Sequence, residues 1–281
     1  GGLALKKLAE KRPEPIPVYA EMSSINPVFL LPNALDENAS ALAAGFVASL
    51  TTGAGQFCTN PGLVIGLAGD ALTDFIAHTR AALSESAAQT MLTADIHRAY
   101  NDGVGKWLAN VAIDEVAAGM SSAESNRCQA RVFSTTAAQF LADDSLENEV
   151  FGAAALIIRC ESIDDLVAIA QRLEGQLTAT MQLTDEDLDL ARRLLPILER
   201  KAGRILCNGY PTGVEVCHAM VHGGPYPATS DSRTTSVGSA AILRFLRPVC
   251  YQDLPASLLP VELQDENSLN LPRLVDGSEQ P

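Results

Sequence analysis

The feature that most constrains the fold of this 281-residue chain is an alternation of short, apolar, β-rich runs with stretches of helical periodicity. "IPVYA", "PVFLLP", "GLVIGLAG", "QARVFST", "VFGAAALIIRC", "TATMQL" and "GRILCNG" read as strands. Several are apolar on both faces, as strands buried between helices are. The helical stretches begin with a short basic amphipathic helix carrying Leu3, Leu5 and Leu8, which Arg12-Pro13 terminates. Asp36 is expected to cap a second helix running through Leu50, and Asp70 a third with Leu72, Phe75, Ile76, Thr79 and Leu83 on one face. Further helices are expected over 93–109, 163–173 and 186–200. The pattern predicts an α/β fold with a largely parallel sheet covered by helices. From 209 to 239 Gly, Pro, Ser and Thr dominate, and a loop of that length inside a compact domain is either disordered or kept for function. "ILRFLRPVCYQ" is expected to resume order, and the acidic tail with Pro255, Pro260 and Pro272 to be extended.

Charge narrows the partners. Lys and Arg number 20 against 34 Asp and Glu, a net charge of −14, which argues against nucleic acid or an anionic membrane and for small molecules or other proteins. No apolar run approaches the roughly 20 residues of a spanning helix, and no charged-then-apolar leader opens the chain, so a cytoplasmic location is expected. The cysteines at 58, 128, 160, 207, 217 and 250 are scattered without a C-x-x-C and read as free thiols in a reducing compartment. No His and Cys cluster has ligand spacing, so no metal is expected.

One cysteine stands apart. "GAGQFCTNPG", Gly53 to Gly62, sets Cys58 among glycines and a proline, whereas a cysteine used for packing prefers an apolar element. Glycines let backbone N–H groups approach a sulfur or an oxyanion formed on it, which suits a reactive thiol. The plainer alternative is an inert loop cysteine. Glu21 follows a strand-like run, where α/β folds often place active groups, although such an acid is commonly just solvated. Glu149 abuts an apolar strand with Glu147 beside it, and His222 sits in the loop stretch "HGGPYPATS", where it could equally be a structural hydrogen-bonder. Arg127, Arg131 and Arg233 are candidate carboxylate partners, with a solvated surface role the simpler reading.

Taken in order, "EMSSINPVFLLP", "GQFCTNPG", "ENEVFG" and "HGGPYPATSD" resemble the aldehyde dehydrogenase superfamily, and their wording is similar to its 2-oxoglutarate semialdehyde (2,5-dioxovalerate) dehydrogenase branch, with NADP-linked fatty aldehyde dehydrogenases as near relatives. The resemblance implies NAD(P)-dependent oxidation of an aldehyde to an acid, with Cys58 as nucleophile and Glu21 as general base. It assigns Glu149 to the nicotinamide ribose, Phe151 to the nicotinamide ring, and His222 to the neighbourhood of the cofactor or base. Met22-Ser23-Ser24 stands where other family members carry two glycines.

The same resemblance implies the end of a Rossmann-like cofactor domain over 1–45, a catalytic domain over 46–235, and a returning, subunit-contacting segment over 236–281 in a dimer or tetramer. It places most of the cofactor domain, the oxyanion asparagine and the NAD-or-NADP determinants upstream of residue 1. On that expectation the chain does not complete the oxidation alone. Two alternatives stay open: a weak thiol esterase, and a non-catalytic assembly module.

Overall fold

The structure, a computed structural model, describes residues 1–280. Residues Gly1–Ala241 form one compact unit and the residues from Ile242 on a second. In chain order the first unit contains α1 (Gly2–Glu10), β1 (Val28–Leu30), α2 (Pro32–Thr51), β2 (Leu63–Leu67), α3 (Asp70–Ser84), β3 (Gln89–Thr90), α4 (Ala94–Ala109), β4 (Asp114–Ala118), β5 (Arg127–Cys128), β6 (Arg131–Thr136), α5 (Ala137–Ala142), β7 (Ala154–Cys160), α6 (Ile163–Arg172), β8 (Gln176–Gln182), α7 (Leu188–Leu198) and β9 (Ala202–Cys207).

The main sheet has seven strands in the order β4-β6-β7-β2-β1-β8-β9, and every pairing is parallel except β4 with β6. Its centre is buried on both faces. Val28, Phe29, Val64, Ile65, Leu156, Ile157 and Ile158 are wholly or almost wholly excluded from solvent. Each such side chain contributes roughly 1.5–3 kcal/mol of burial. On one face α2 packs on α3 through Phe46 and Phe75, whose ring centroids lie 5.9 Å apart. The α/β reading and most of the helices are therefore as the periodicity predicts.

Four expectations are corrected. "IPVYA" is not a strand: Ile16 to Ala20 carry no ladder, because Pro15 and Pro17 lack the N–H a strand interior donates. The segment is tied instead to the far loop, with Ala20 N–H donating to Ser230 Oγ and Ser230 N–H to Ala20 O. Helix α2 starts at Pro32 rather than at Asp36. Asp187, distant in sequence, supplies the missing cap, its carboxylate accepting from the N–H groups of Asn33 and Ala34, and the helix is irregular at Asn38. The antiparallel edge strand β4 is absent from the sequence reading because Asp114 and Glu115 interrupt its apolar pattern. "ILRFLRPVCYQ" does not resume regular order beyond a 3₁₀ stretch, Ser239–Phe245, and Leu243, Phe245, Leu246 and Val249 are exposed. The second unit ends in the hairpin β10 (Arg273–Val275) and β11 (Ser278–Gln280).

The sheet's directions decide where a site forms. Glu21 precedes β1, Cys58 precedes β2, and Glu149 and Phe151 precede β7. These three strands are adjacent and parallel, so their lead-in segments converge on the amino edge of the sheet. Glu21 thus lies ahead of a strand rather than after one, the opposite of the sequence expectation.

Candidate active site

The turn holding Cys58 is built by α2 ending abruptly. Thr52–Gly55 is a 3₁₀ turn in which Gly53, Ala54 and Gly55 all have positive φ, +58°, +59° and +69°. Left-handed backbone is open to glycine and costly for Ala54, so neighbours have to hold it. The Gln89 side chain accepts from Ala54 N–H at 3.0 Å, and Gln56 Oε1 from Leu92 N–H at 2.9 Å. A Cβ on Gly55 would stand 2.3 Å from the Ala153 nitrogen. The glycine therefore lets the thiol turn press against the Phe151–Ala153 backbone.

Asn26 locks this turn to the Glu21 segment. It is fully buried, and its Nδ2 donates to the backbone oxygens of Cys58 and Asn60, each at 2.9 Å, and to Ser24 O at 3.3 Å. Its Oδ1 accepts from the hydroxyls of Ser24 and Thr178. With φ of +48°, it occupies a conformation that Asn adopts more readily than most residues. Buried Gln176 completes the frame, its Oε1 accepting from the Ile25 and Asn26 N–H groups and from the Ser24 hydroxyl.

His222 arrives from the 209–239 loop. Its N–H donates to Thr235 Oγ1 at 2.8 Å and its carbonyl accepts from Ser236. Behind it Gly224 passes so close to β8 that a Cβ would lie 2.1 Å from Gln176 O. An isolated antiparallel bridge between Glu21 and Thr229 brings the acid alongside this loop.

The outcome is a contiguous triad. Cys58 Sγ lies 3.4 Å from His222 Nε2, and the same nitrogen lies 2.8 Å from Glu21 Oε2. His222 is buried, Cys58 half-buried, and the Glu21 side chain about one-third exposed at 36%. The hydrogen bonds to Cys58 and Glu21 push the His222 pKa up to about 9 against the opposing effect of burial. The ring therefore carries its proton at neutral pH, placing a cation between the Cys58 sulfur and the Glu21 carboxylate.

Glu149 and Phe151 share a narrow cavity of about 10 Å³ with Ser24, Gly55, Asn60 and Trp107, room for a single water. Burial raises the Glu149 carboxyl to about 7, with Ser23 and Ser24 pulling the other way by hydrogen bonding. Asn60 Oδ1 is buried here without a partner, and Phe151 keeps 38% of its surface exposed. A carboxylate, a free acceptor and an exposed ring suit a ligand carrying hydroxyls and a flat apolar group. Because the folded pKa of Glu149 is raised, the stability it lends is present below its unfolded pKa, near 4.5, and lost as pH rises through 7. Glu149→Gln should remove this dependence, gaining on the order of 2 kcal/mol over wild type at pH 8 relative to pH 5. Denaturant unfolding at both pH values checks it, and equal pH dependence in the two proteins contradicts it.

Of the residues singled out in the sequence, Cys58, His222 and Glu21 thus meet in one cluster, while Glu149 and Phe151 line a separate small cavity beside Gly55 and Asn60 of the thiol turn. The candidate arginines do not join them: Arg127 pairs with Glu124, Arg131 with Glu115 and Arg233 with Asp231. Arg127 and Arg131 are also half-buried rather than solvated. Sequence reasoning missed Asn26, Asn60 and Gln176, whose roles rest on long-range hydrogen bonds. It also missed Arg204 on β9, whose guanidinium is depressed by burial while the nearby Cys58 acts to raise it.

Over 277 residues the chain is 54% identical to alpha-ketoglutaric semialdehyde dehydrogenase 2 of Azospirillum brasilense, covering 99% of this chain and 53% of that protein. It is 45% identical to alpha-ketoglutaric semialdehyde dehydrogenase of Acinetobacter baylyi, with the same coverage. The chain thus spans about half the length of the curated relatives it matches. Among solved structures it resembles proline utilization A from Bdellovibrio bacteriovorus, with a TM-score of 0.73 at 18% identity over 89% of this chain and 26% of that one. It also resembles NADP-dependent glyceraldehyde-3-phosphate dehydrogenase from Bacillus halodurans complexed with NADP, with a TM-score of 0.68 at 16% identity over 88% and 50%. At such identities the structural likenesses speak for the fold alone, but residues 4–235 match the aldehyde dehydrogenase family itself, and to that family this chain belongs.

Proposed function

We propose that this chain carries the thiol half of an enzyme that oxidises 2-oxoglutarate semialdehyde to 2-oxoglutarate with NADP or NAD. The observation that supports it most is the Cys58–His222–Glu21 triad, because an aldehyde needs a thiolate nucleophile and the resulting thioester needs a base to activate water. The semialdehyde is the substrate named for the two curated relatives.

The mechanism follows from the side chains. Cys58 reacts as the thiolate, the nucleophilic form of a thiol, with the His222 ring 3.4 Å from its sulfur. The thiolate adds to the aldehyde carbon, and the carbonyl oxygen becomes the oxyanion of a thiohemiacetal. A bound nicotinamide dinucleotide would supply the hydride acceptor for that carbon, and Cys58 would then hold the acyl group as a thioester. Glu21, partly exposed, takes a proton from the incoming water, and hydrolysis returns the thiolate and releases the acid. Glu149 and Asn60 would hold cofactor hydroxyls and the exposed Phe151 ring would pack on the nicotinamide, roles the chemistry of these side chains suits. The six free cysteines suit a reducing, cytoplasmic setting. The exposed apolar run Leu243, Phe245, Leu246 and Val249 is assigned to contact with a second copy of the chain.

The test joins the chain to the part of the Azospirillum relative that it does not cover and follows NADPH formation. The semialdehyde should be oxidised in preference to a long-chain aldehyde, and His222→Gln should lower kcat by about 10²-fold or more. No oxidation of any aldehyde by the folded fusion would sink the proposal, and preference for the long-chain aldehyde would reassign the substrate.

A further inference from the structure

The triad has a second capacity that catalysis does not use. Cys58 Sγ, His222 Nε2 and a Glu21 carboxylate oxygen all lie within 4.8 Å of one another. Zinc bonds of roughly 2.0–2.3 Å at tetrahedral angles set ligand atoms about 3.3–3.8 Å apart. Sulfur and nitrogen are already at that spacing, at 3.4 Å. Nitrogen and carboxylate oxygen, at 2.8 Å, must open by about half an ångström, which the partly exposed Glu21 side chain can do. The donor set of one thiolate, one imidazole and one carboxylate suits zinc and its soft neighbours rather than magnesium or calcium.

We infer that Cys58, His222 and Glu21 form a reversible inhibitory site for a zinc-class divalent cation, which ligates the nucleophile and so withdraws it from reaction. Binding forms three coordinate bonds, keeps the fourth position for water, and releases to solvent the protons held by the thiol and the ring nitrogen; nothing is oxidised or reduced. One feature limits the affinity. Once Nε2 has lost its proton and is ligated, the remaining ring proton sits on Nδ1, which is buried and has no hydrogen-bond partner, whereas tight metal sites give that nitrogen an acceptor. The site should therefore release its metal to a chelator, as an inhibitory site must. The inference uses the same side chains as the proposed dehydrogenase but does not depend on turnover.

The test uses the whole 281-residue chain with zinc chloride as the probe and iodoacetamide labelling of each cysteine read by peptide mass. Zinc should slow labelling of Cys58 at least tenfold, with recovery on chelation, and leave the exposed Cys207, Cys217 and Cys250 unprotected. Cobalt in its place should give a thiolate-to-metal absorption band. Glu21→Gln, at a partly exposed position that leaves the fold intact, and His222→Gln should each weaken protection about tenfold or more. Protection that is unchanged in both variants, that is shared by the exposed cysteines, or that comes without a cobalt–thiolate band overturns the inference. Slow labelling of Cys58 before any metal is added would count against the nucleophile instead, and the cobalt band would still decide the site.

Discussion

Under the proposed chemistry, Cys58→Ala in the fused full-length protein is expected to lower aldehyde oxidation by at least about three orders of magnitude while changing stability by less than about 1 kcal/mol. The two halves of that expectation have separate physical origins. Removing the sulfur removes the atom on which both proposed covalent intermediates form, and neither neighbour supplies a substitute: Glu21 is a weak nucleophile and His222 holds its proton. The fold is spared because the turn is held by its backbone. Asn26 binds the Cys58 carbonyl, Asn60 N–H donates to Phe57 O, and Gly62 N–H donates to Ile25 O. Steady-state kinetics with denaturant unfolding measures both quantities. Residual turnover within tenfold of wild type would remove Cys58 from the chemistry.

Asn26→Asp should have the largest effect on stability, about 3–5 kcal/mol. The substitution keeps the shape and the Oδ1 acceptor but turns a donor that serves three carbonyls into a carboxylate oxygen facing them, in a fully buried position. Burying that charge, or protonating it to avoid the charge, are both unfavourable. Asn26→Gly is the control, since glycine adopts φ of +48° freely; a comparable loss there assigns the effect to hydrogen bonds rather than to backbone strain. Both variants should also slow Cys58 alkylation, because the nucleophile's turn is no longer tied to the segment carrying Glu21. A loss below 1 kcal/mol in denaturant unfolding would show that the clamp is dispensable.

The sequence was most legible where function and local chemistry coincide. A thiol in a glycine turn, an acid before Met-Ser-Ser, and a histidine before Gly-Gly-Pro each carry a signal in consecutive residues. The parallel sheet was equally legible, because runs such as "AAALIIRC" are apolar at successive positions. What the sequence hid is long-range. Asn26 reads as a loop asparagine until its carbonyl partners 32 and 34 residues away are in place. Asp187 caps a helix that begins 155 residues earlier, at Pro32, so local capping rules pointed to Asp36 instead. Glu21 was expected after a strand because "IPVYA" has strand composition, yet its prolines keep it out of the sheet and its partner is Thr229, across the chain.

Competitive alkylation tests the central claim most directly, because the cysteines differ in accessibility against the predicted order. Cys207, Cys217 and Cys250 are exposed, Cys58 is half-buried, and Cys128 and Cys160 are buried with thiols pushed up by burial. If access governed labelling, the three exposed thiols would react first. The account predicts that at neutral pH, under limiting iodoacetamide, Cys58 is labelled first and at least about tenfold faster than any of them, and that His222→Gln abolishes the advantage. Labelling of Cys58 at or below the rate of Cys207, Cys217 and Cys250 would contradict it, leaving a turn with the family's shape and no activated thiol.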